Sequence, residues 1–211
     1  MIRNLAQGQR GFTSNAFLVA GAAVMSDGAD QGEPAEDPAG RTVLVDPGSE
    51  FDVAAAVERF VDDLDAVVLT HTHPDHVGNT ADVIEAFDVD VWGFEPDHRL
   101  VDHRIADGDT VELGAHSYDA LHTPGHKEDH LCFHAPDAGV LFAGDLIFAG
   151  GSFGRTDLPE GDHGTLVASI ERVLETVGPD LCEMHTGHGP SVTDSPFQQI
   201  QLSARAARSM R

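Results

Sequence analysis

Lysine is almost absent from this chain of 211 residues: Lys127 is the single one, and the other permanent cations are arginines. The 12 basic residues face 36 acidic ones, which are spread over every segment and give a formal net charge of −24. Such a charge repels phosphate backbones and anionic lipids, so it argues against nucleic-acid and membrane partners. Molar salt screens this self-repulsion to within roughly 3 Å. The composition therefore predicts a halophilic protein.

Cysteine and long apolar runs are also scarce. Cys132 and Cys182 lack CxxC spacing and form no disulfide framework, and their apolar surroundings predict two buried, unreactive thiols. No segment approaches the roughly 20 apolar residues of a membrane span. The first residues contain no apolar core of a secretion signal. These absences predict a cytoplasmic protein.

Apolar runs and turn residues alternate along the chain. Continuous apolar runs at 15–25 and 64–70 predict buried strands, whereas the segment 26–40, rich in Asp, Glu, Gly and Pro, predicts an exposed hairpin loop. Apolar residues at helical spacing predict an amphipathic helix at 165–178. Two β-rich halves, each with helices and without a long linker between them, predict one α+β domain over residues 1–211. Its layering is either a general α+β arrangement or an αββα sandwich.

Four nitrogen or oxygen donors follow the second of these runs, in the motif THTHPDH. His71 and His73 are two residues apart, so they point the same way on an extended chain. Pro74 then turns the backbone, and Asp75 and His76 follow. Imidazole and carboxylate together suit zinc, iron or manganese. A capped strand with incidental histidines does not need this density of donors, so the motif predicts a metal site.

Further candidate ligands stand where later strands end. His126 follows a Pro-Gly turn, Asp145 follows a glycine inside an apolar run, and His188 lies between two glycines. An unpaired carboxylate is costly to bury, and neighbouring glycines let the backbone approach a bound ion closely. Each signal alone is weak. Together with the first motif they predict one metal centre assembled from distant segments.

These motifs, taken in order, resemble the metallo-β-lactamase superfamily over essentially the whole chain. The resemblance implies an αββα four-layer sandwich with two divalent metal ions at one edge, zinc first and iron or manganese as alternatives. Seven positions match the ligands of that family: His71, His73 and His126 for one metal, Asp75, His76 and His188 for the other, and Asp145 as the bridge.

The acid at position 145 resembles the glyoxalase II, RNase Z and lactonase branches, and the segment GRTDLP at 154–159 resembles small glyoxalase II-like hydrolases and the related persulfide dioxygenases. This resemblance implies that a metal-bridging hydroxide cleaves a small-molecule hydroxyacyl thioester, with Asp75 and Asp145 as catalytic residues. Glyoxalase II has a C-terminal helical domain that helps to bind glutathione. No such domain is expected after His188, so the thiol carrier is glutathione or another small thiol.

The related persulfide dioxygenases imply an alternative activity. In that branch a single iron would be held by His71, His126 and Asp145, which are two histidines and one carboxylate. All seven positions are filled in this chain, and LPEGD continues the GRTD segment at 158–162. Both features favour the hydrolase.

The remaining polar residues near these motifs receive simpler interpretations. Asp46 is either a turn carboxylate or a hydrogen-bond partner of a ligand histidine. Lys127 is expected to be solvated, Arg155 to hold a turn with Asp157, and His185 to end a strand. Surface or loop positions are expected for seven other histidines: His98, His103, His116, His122, His130, His134 and His163.

Overall fold

The first of two β-sheets is built largely from the N-terminal half of the chain. A computed structural model describes residues 1–9, 11–21, 40–94 and 98–210. In spatial order the strands of this sheet are β1 (Ile2–Asn4), β2 (Phe17–Val19), β3 (Val43–Val45), β4 (Ala66–Val68), β5 (Val91–Gly93) and β6 (His103–Arg104). The first three are antiparallel and β3 to β6 are parallel. The carboxyl ends of β3 to β6 therefore meet at one edge.

The second sheet is built from the C-terminal half. In spatial order its strands are β11 (Glu183–Thr186), β10 (Val140–Gly144), β9 (Leu131–Ala135), β8 (His116–His122) and β7 (Thr110–Leu113). Strands β7 to β10 are antiparallel, and β10 pairs with β11 in parallel. The parallel pair brings the carboxyl ends of β10 and β11 together, and Asp145 and His188 lie just beyond those ends.

Helices cover the outer face of each sheet. They are α1 (Val53–Glu58), α2 (Pro74–Val77), α3 (Thr80–Phe87), α4 (His163–Thr176) and α5 (Pro196–Ser209), and a 3₁₀ turn spans Ala149–Gly151. Leu44 packs in the cluster that contains α1 and α3, whereas its neighbour Val45 packs between the sheets. Likewise Leu141 packs with α4 and α5, and Phe142 faces the other sheet. Because successive strand residues face opposite layers, the order is helix, sheet, sheet, helix, which confirms the αββα sandwich.

Several local expectations can be compared with this fold. The expected helix at 165–178 begins two residues earlier as α4, because Asp162 accepts a hydrogen bond from the backbone N–H of Thr165 at 2.7 Å. The expected loop at 26–40 lies outside the described residues, apart from Gly40. Among the described residues, no helix is both long enough and apolar enough to cross a membrane.

The two cysteines have different environments. Cys132 is buried in β9, as expected. The expectation that Cys182 is buried is wrong: it is exposed, because β11 begins at the next residue. The apolar residues near Cys182 therefore lie partly in the loop before β11, and Cys182 itself is not part of the sheet.

Candidate metal centre

The THTHPDH motif spans the end of a strand and the start of a short helix. Strand β4 ends at Val68, and His73 keeps an extended backbone with ψ of 145°. Pro74 then occupies the first turn of α2, where its fixed φ and missing N–H cost nothing. Asp75 and His76 are therefore displayed from a helical turn. This change of backbone turns the four donors toward neighbouring donor groups.

The structure brings all seven expected ligands together. Each donor group consists of residues whose potential ligand atoms lie within 4.8 Å of one another. The three groups are His71 with His73 and His126, His71 with His76 and Asp145, and Asp75 with His76 and His188. Asp145 lies between the others, since its carboxylate oxygens are 3.4 Å from Nε2 of His76 and of His126, and 3.5 Å from Nε2 of His188.

The donor set fits divalent metal ions on two observations. First, three of the six buried side-chain atoms that find no hydrogen-bond partner among the described residues belong to the donor set, namely Nε2 of His76, Nε2 of His126 and Oδ1 of Asp145. Buried polar atoms are costly when they stay unpaired. Second, Gly187 leaves the space open, because a Cβ there would lie 2.0 Å from Oδ1 of Asp145. Unpaired imidazole and carboxylate atoms around an open space are what a metal ion requires.

Asp46 fixes the orientation of two of the histidines. Its Oδ2 lies 2.8 Å from Nδ1 of His76 and accepts from the Thr70 hydroxyl at 2.6 Å. Nδ1 of His71 lies 3.1 Å from the same hydroxyl. With the Nδ1 protons directed to these partners, Nε2 of His71 and His76 faces the donor cluster. Of the two interpretations of Asp46, the structure supports the hydrogen-bond partner.

A backbone carbonyl orients His126 in the same way. Nδ1 of His126 lies 2.8 Å from the carbonyl oxygen of Arg155, which leaves Nε2 facing Asp145. Gly154 permits this approach, since a Cβ there would lie 2.0 Å from the backbone oxygen of Asp145. The side chain of Arg155 points elsewhere, and donates two hydrogen bonds of 2.6 Å to Asp157 as expected. The GRTDLP segment thus contributes backbone to the site.

His130 is a site residue that was expected at the surface or in a loop; it lies in the loop just before β9, but it is not at the surface. Its side chain is fully buried, and Nε2 accepts a hydrogen bond of 3.0 Å from the backbone N–H of Asp145. Nδ1 lies 2.8 Å from the Thr123 hydroxyl. His134 is buried too, in β9, whereas the other histidines of that group are at least partly exposed. The signal that could have identified both is the continuous apolar context of β9, in which every residue is buried.

Asp129 is a second residue that the motifs did not indicate. Its Oδ2 accepts from both the backbone N–H and the hydroxyl of Thr72, at 3.1 and 2.6 Å, and so it anchors the residue between two ligand histidines. Lys127 was expected to be solvated, but the structure shows it paired with two carboxylates. Its ammonium group lies 2.8 Å from Glu160 and 3.5 Å from Asp129. The bonds between Asp129 and Thr72 tie the loop after β8 to the loop after β4, and the pair Lys127–Glu160 ties it to the segment before α4.

Protonation differs sharply within the cluster when no metal is bound. Burial lowers the pKa of His71 well below its usual range and that of His73 to about 4, so both are neutral. Burial alone would also lower the pKa of His76 and His188. The carboxylates beside them outweigh it together, Asp145 with Asp46 for His76 and Asp145 with Asp75 for His188, and raise the pKa of His76 to about 10 and that of His188 to about 9. Protons on His76 and His188 thus occupy positions that cations would take.

A cavity of about 710 Å³ opens onto these donors. His73, Asp75, His126, Asp145 and His188 line one part of it. The rest of the wall is largely apolar, and its apolar side chains include Phe12, Phe148, Phe153, Leu158 and Pro190. A site of this size, with a few convergent polar groups in an apolar wall, suits a small molecule.

The fold and these donors define a metal-binding protein of the αββα type. A family model described as the metallo-beta-lactamase superfamily matches residues 36–188. The chain therefore belongs to the metallo-beta-lactamase superfamily, and its relatives place it among the glyoxalase II-like members. The family resemblance predicted from the motifs is confirmed.

The relatives include enzymes and a metal-bound structure. Hydroxyacylglutathione hydrolase GloC from Haemophilus influenzae is 32% identical over 173 residues, which cover 71% of this chain and 81% of that protein. The probable metallo-hydrolase YqgX from Bacillus subtilis is 32% identical over 157 residues, covering 64% and 73%. The solved structure of TTHA1623 in a di-iron-bound form is 29% identical, with a TM-score of 0.69 over 98% of this chain and 96% of that one. These similarities support a metal-dependent hydrolase as the class of protein.

Proposed function

We propose that the protein is a dinuclear metallohydrolase that cleaves a small hydroxyacyl thioester. The observation that carries this proposal is the convergence of seven donors with unpaired, buried Nε2 and carboxylate atoms at the foot of a cavity. The relative named as a hydroxyacylglutathione hydrolase supports the substrate class. The proposed ligands are His71, His73 and His126 for one ion, Asp75, His76 and His188 for the second, and Asp145 for both.

Two divalent cations, zinc first and iron or manganese as alternatives, would lower the pKa of a bound water and polarise the thioester carbonyl. The chain itself supplies orientation. Burial opposes ionisation of Asp75, but the hydrogen bond from His188 and the charge of His76 together outweigh it and lower the pKa of Asp75. The ionised carboxylate lines the cavity, so it can accept a hydrogen bond from the attacking water and orient it. Asp145 holds the two donor groups together from a buried position.

The alternative is a single iron held by His71, His126 and Asp145 in a persulfide dioxygenase. These three residues are adjacent in the structure, and Nε2 of His126 lies 3.4 Å from Asp145. The hydrolase is favoured because His76 and His188 converge on the same carboxylate from the other side. A mononuclear site would leave that second group without a role.

The acidic composition supports a further part of the proposal, that the enzyme works in molar salt. A net charge of −24 is tolerated best where salt screens the repulsion between surface carboxylates. We expect the unfolding temperature to rise with potassium chloride up to molar concentrations. We also propose that the protein works in the cytoplasm.

The test is the metal content of protein purified in molar salt without added metal, measured by elemental mass spectrometry together with thioester hydrolysis. Close to two ions per chain, with activity that is lost on chelation, supports the proposal. The variant His188→Ala separates the alternatives, because His188 belongs only to the dinuclear set. It should abolish hydrolysis if two ions act. One iron per chain, oxygen uptake with a persulfide and an unaffected His188→Ala variant would overturn the dinuclear mechanism.

A further inference from the structure

The apolar wall of the cavity is built around one ligand, His188. The ring of Phe12 lies 6.1 Å from the His188 ring, and the ring of Phe148 lies 6.3 Å from it. Phe12 is 74% exposed, more than any other large apolar side chain that the structure describes. An exposed phenylalanine beside a cavity gains its contacts when a ligand arrives. We take Phe12, Phe148 and Pro190 together as the aromatic wall.

Away from the metal-binding donors, the wall of the cavity offers little to a negatively charged ligand. Among its lining residues in the described part of the chain, Arg155 has the only permanent positive charge, and its guanidinium group already binds both oxygens of Asp157. Lys127 does not line the cavity and is paired with Glu160 and Asp129. A carboxylate moved from water to the aromatic wall would lose its hydration without gaining a partner. Salt in solution does not replace such a direct contact.

The size and polarity of the two halves of the substrate indicate which part of the cavity each half contacts. The hydroxyacyl group of the proposed substrate is small and polar, and its carbonyl must reach the donors at the foot of the cavity. The thiol portion is therefore the part that remains to contact the aromatic wall. We infer that the thiol portion is uncharged and apolar, aromatic or branched aliphatic, and that it is not a carboxylate-bearing thiol such as glutathione. This inference rests on the proposed thioester hydrolysis.

The test compares three thioesters that share one 2-hydroxypropanoyl group. Their thiols are benzyl mercaptan, N-acetylcysteamine and glutathione, and each kcat/KM is divided by the rate constant for hydroxide hydrolysis of the same ester. We expect the benzyl ester to exceed the glutathione ester by about tenfold or more. Phe12→Ala should reduce the preference for benzyl over N-acetylcysteamine by about tenfold, and Phe12→Leu should retain most of it. Phe60→Ala is the matched control, since Phe60 packs against Arg3 and does not line the cavity.

Each outcome has a separate meaning. A glutathione ester that is hydrolysed as well as or better than the benzyl ester overturns the inference and leaves the proposed function intact. Failure of the folded, metal-loaded protein to hydrolyse any of the three overturns the proposed function. In that case, calorimetric binding of hydrolysis-resistant S-benzyl and glutathione thioethers decides the inference. Tighter binding of the benzyl compound, lost in Phe12→Ala, supports it, and equal or weaker binding overturns it.

Discussion

The imidazole of His130 accepts a hydrogen bond from the backbone N–H of Asp145, with 3.0 Å between Nε2 and the nitrogen. Burial lowers the pKa of His130 well below its usual range, so the ring is neutral and its proton lies on Nδ1. Nδ1 donates to the Thr123 hydroxyl, and that hydroxyl lies 3.4 Å from the sulfur of Cys132. The position of the proposed bridging carboxylate is thus fixed from inside the second sheet.

We predict that His130→Ala destabilises the metal-free protein by about 2–4 kcal/mol, because it leaves a buried N–H unpaired and opens a cavity. Urea unfolding measures the change. His116→Ala is the control, since that side chain is exposed on β8, and its effect should stay within about 0.5 kcal/mol. Equal stabilities of the two variants would show that the hydrogen bond to Asp145 carries little weight.

Gly187 provides a test of the metal centre that alters no ligand. A Cβ at this position would lie 2.0 Å from Oδ1 of Asp145 and 2.8 Å from Cε1 of His76. We therefore expect Gly187→Ala to weaken metal binding by about 10–100-fold, the range seen when the surroundings of ligands are disturbed. Metal content after dialysis against a weak chelator measures the loss.

The control for Gly187→Ala is Gly178→Ala, because a Cβ at position 178 meets nothing within 4 Å. That variant should keep the metal content and the unfolding temperature of the parent protein. If Gly187→Ala kept its metal equally well, the ions would not lie where the donors converge.

The local motifs allowed the fold and the seven donors to be predicted, because together they resemble a known superfamily whose layering and ligand positions could be carried over. Continuous apolar runs mark the buried strands, and each donor follows the end of a strand or a glycine turn. In the structure, the carboxyl ends of parallel strands meet at one edge, which brings donors from distant segments together. The backbone change at Pro74 also has a local cause.

The residues that support the ligands could not be predicted in this way. His130 acts on Asp145 across 15 positions of sequence, and Asp129 acts on Thr72 across 57. Each pairing depends on which strands are adjacent in space. The environment of Cys182 depended on where β11 begins, and strand limits are the least certain feature of a sequence pattern.

The two thiols should differ in reactivity. Burial raises the pKa of Cys132 to about 12, so its thiolate is scarce and shielded, whereas Cys182 is exposed. A disulfide reagent such as dithionitrobenzoate should titrate one thiol in the folded protein and two after unfolding. Cys182→Ser should remove the first reaction. Rapid titration of both thiols in the folded protein would contradict the buried position of β9.

Metal binding should release protons, and its affinity should rise with pH. In the metal-free protein the raised pKa values of His76 and His188, about 10 and about 9, keep both rings protonated near neutral pH. His71 and His73 are already neutral, since their pKa values are lowered. A cation must displace a proton from each of the first two rings, so lower pH means stronger competition and weaker binding.

Calorimetry at about pH 7, in two buffers with different ionisation enthalpies, should show close to two protons released from His76 and His188 when both ions bind, and about one more if the bound water ionises. The apparent affinity should increase from about pH 6 to about pH 9 and level off above the two raised pKa values. Asp46→Asn is an informative variant, because Asp46 helps to raise the pKa of His76 and its removal should reduce the number of protons released. An affinity that does not depend on pH over this range would mean that the ions displace no protons from His76 and His188. The metal would then lie outside the group that these two residues form with Asp75.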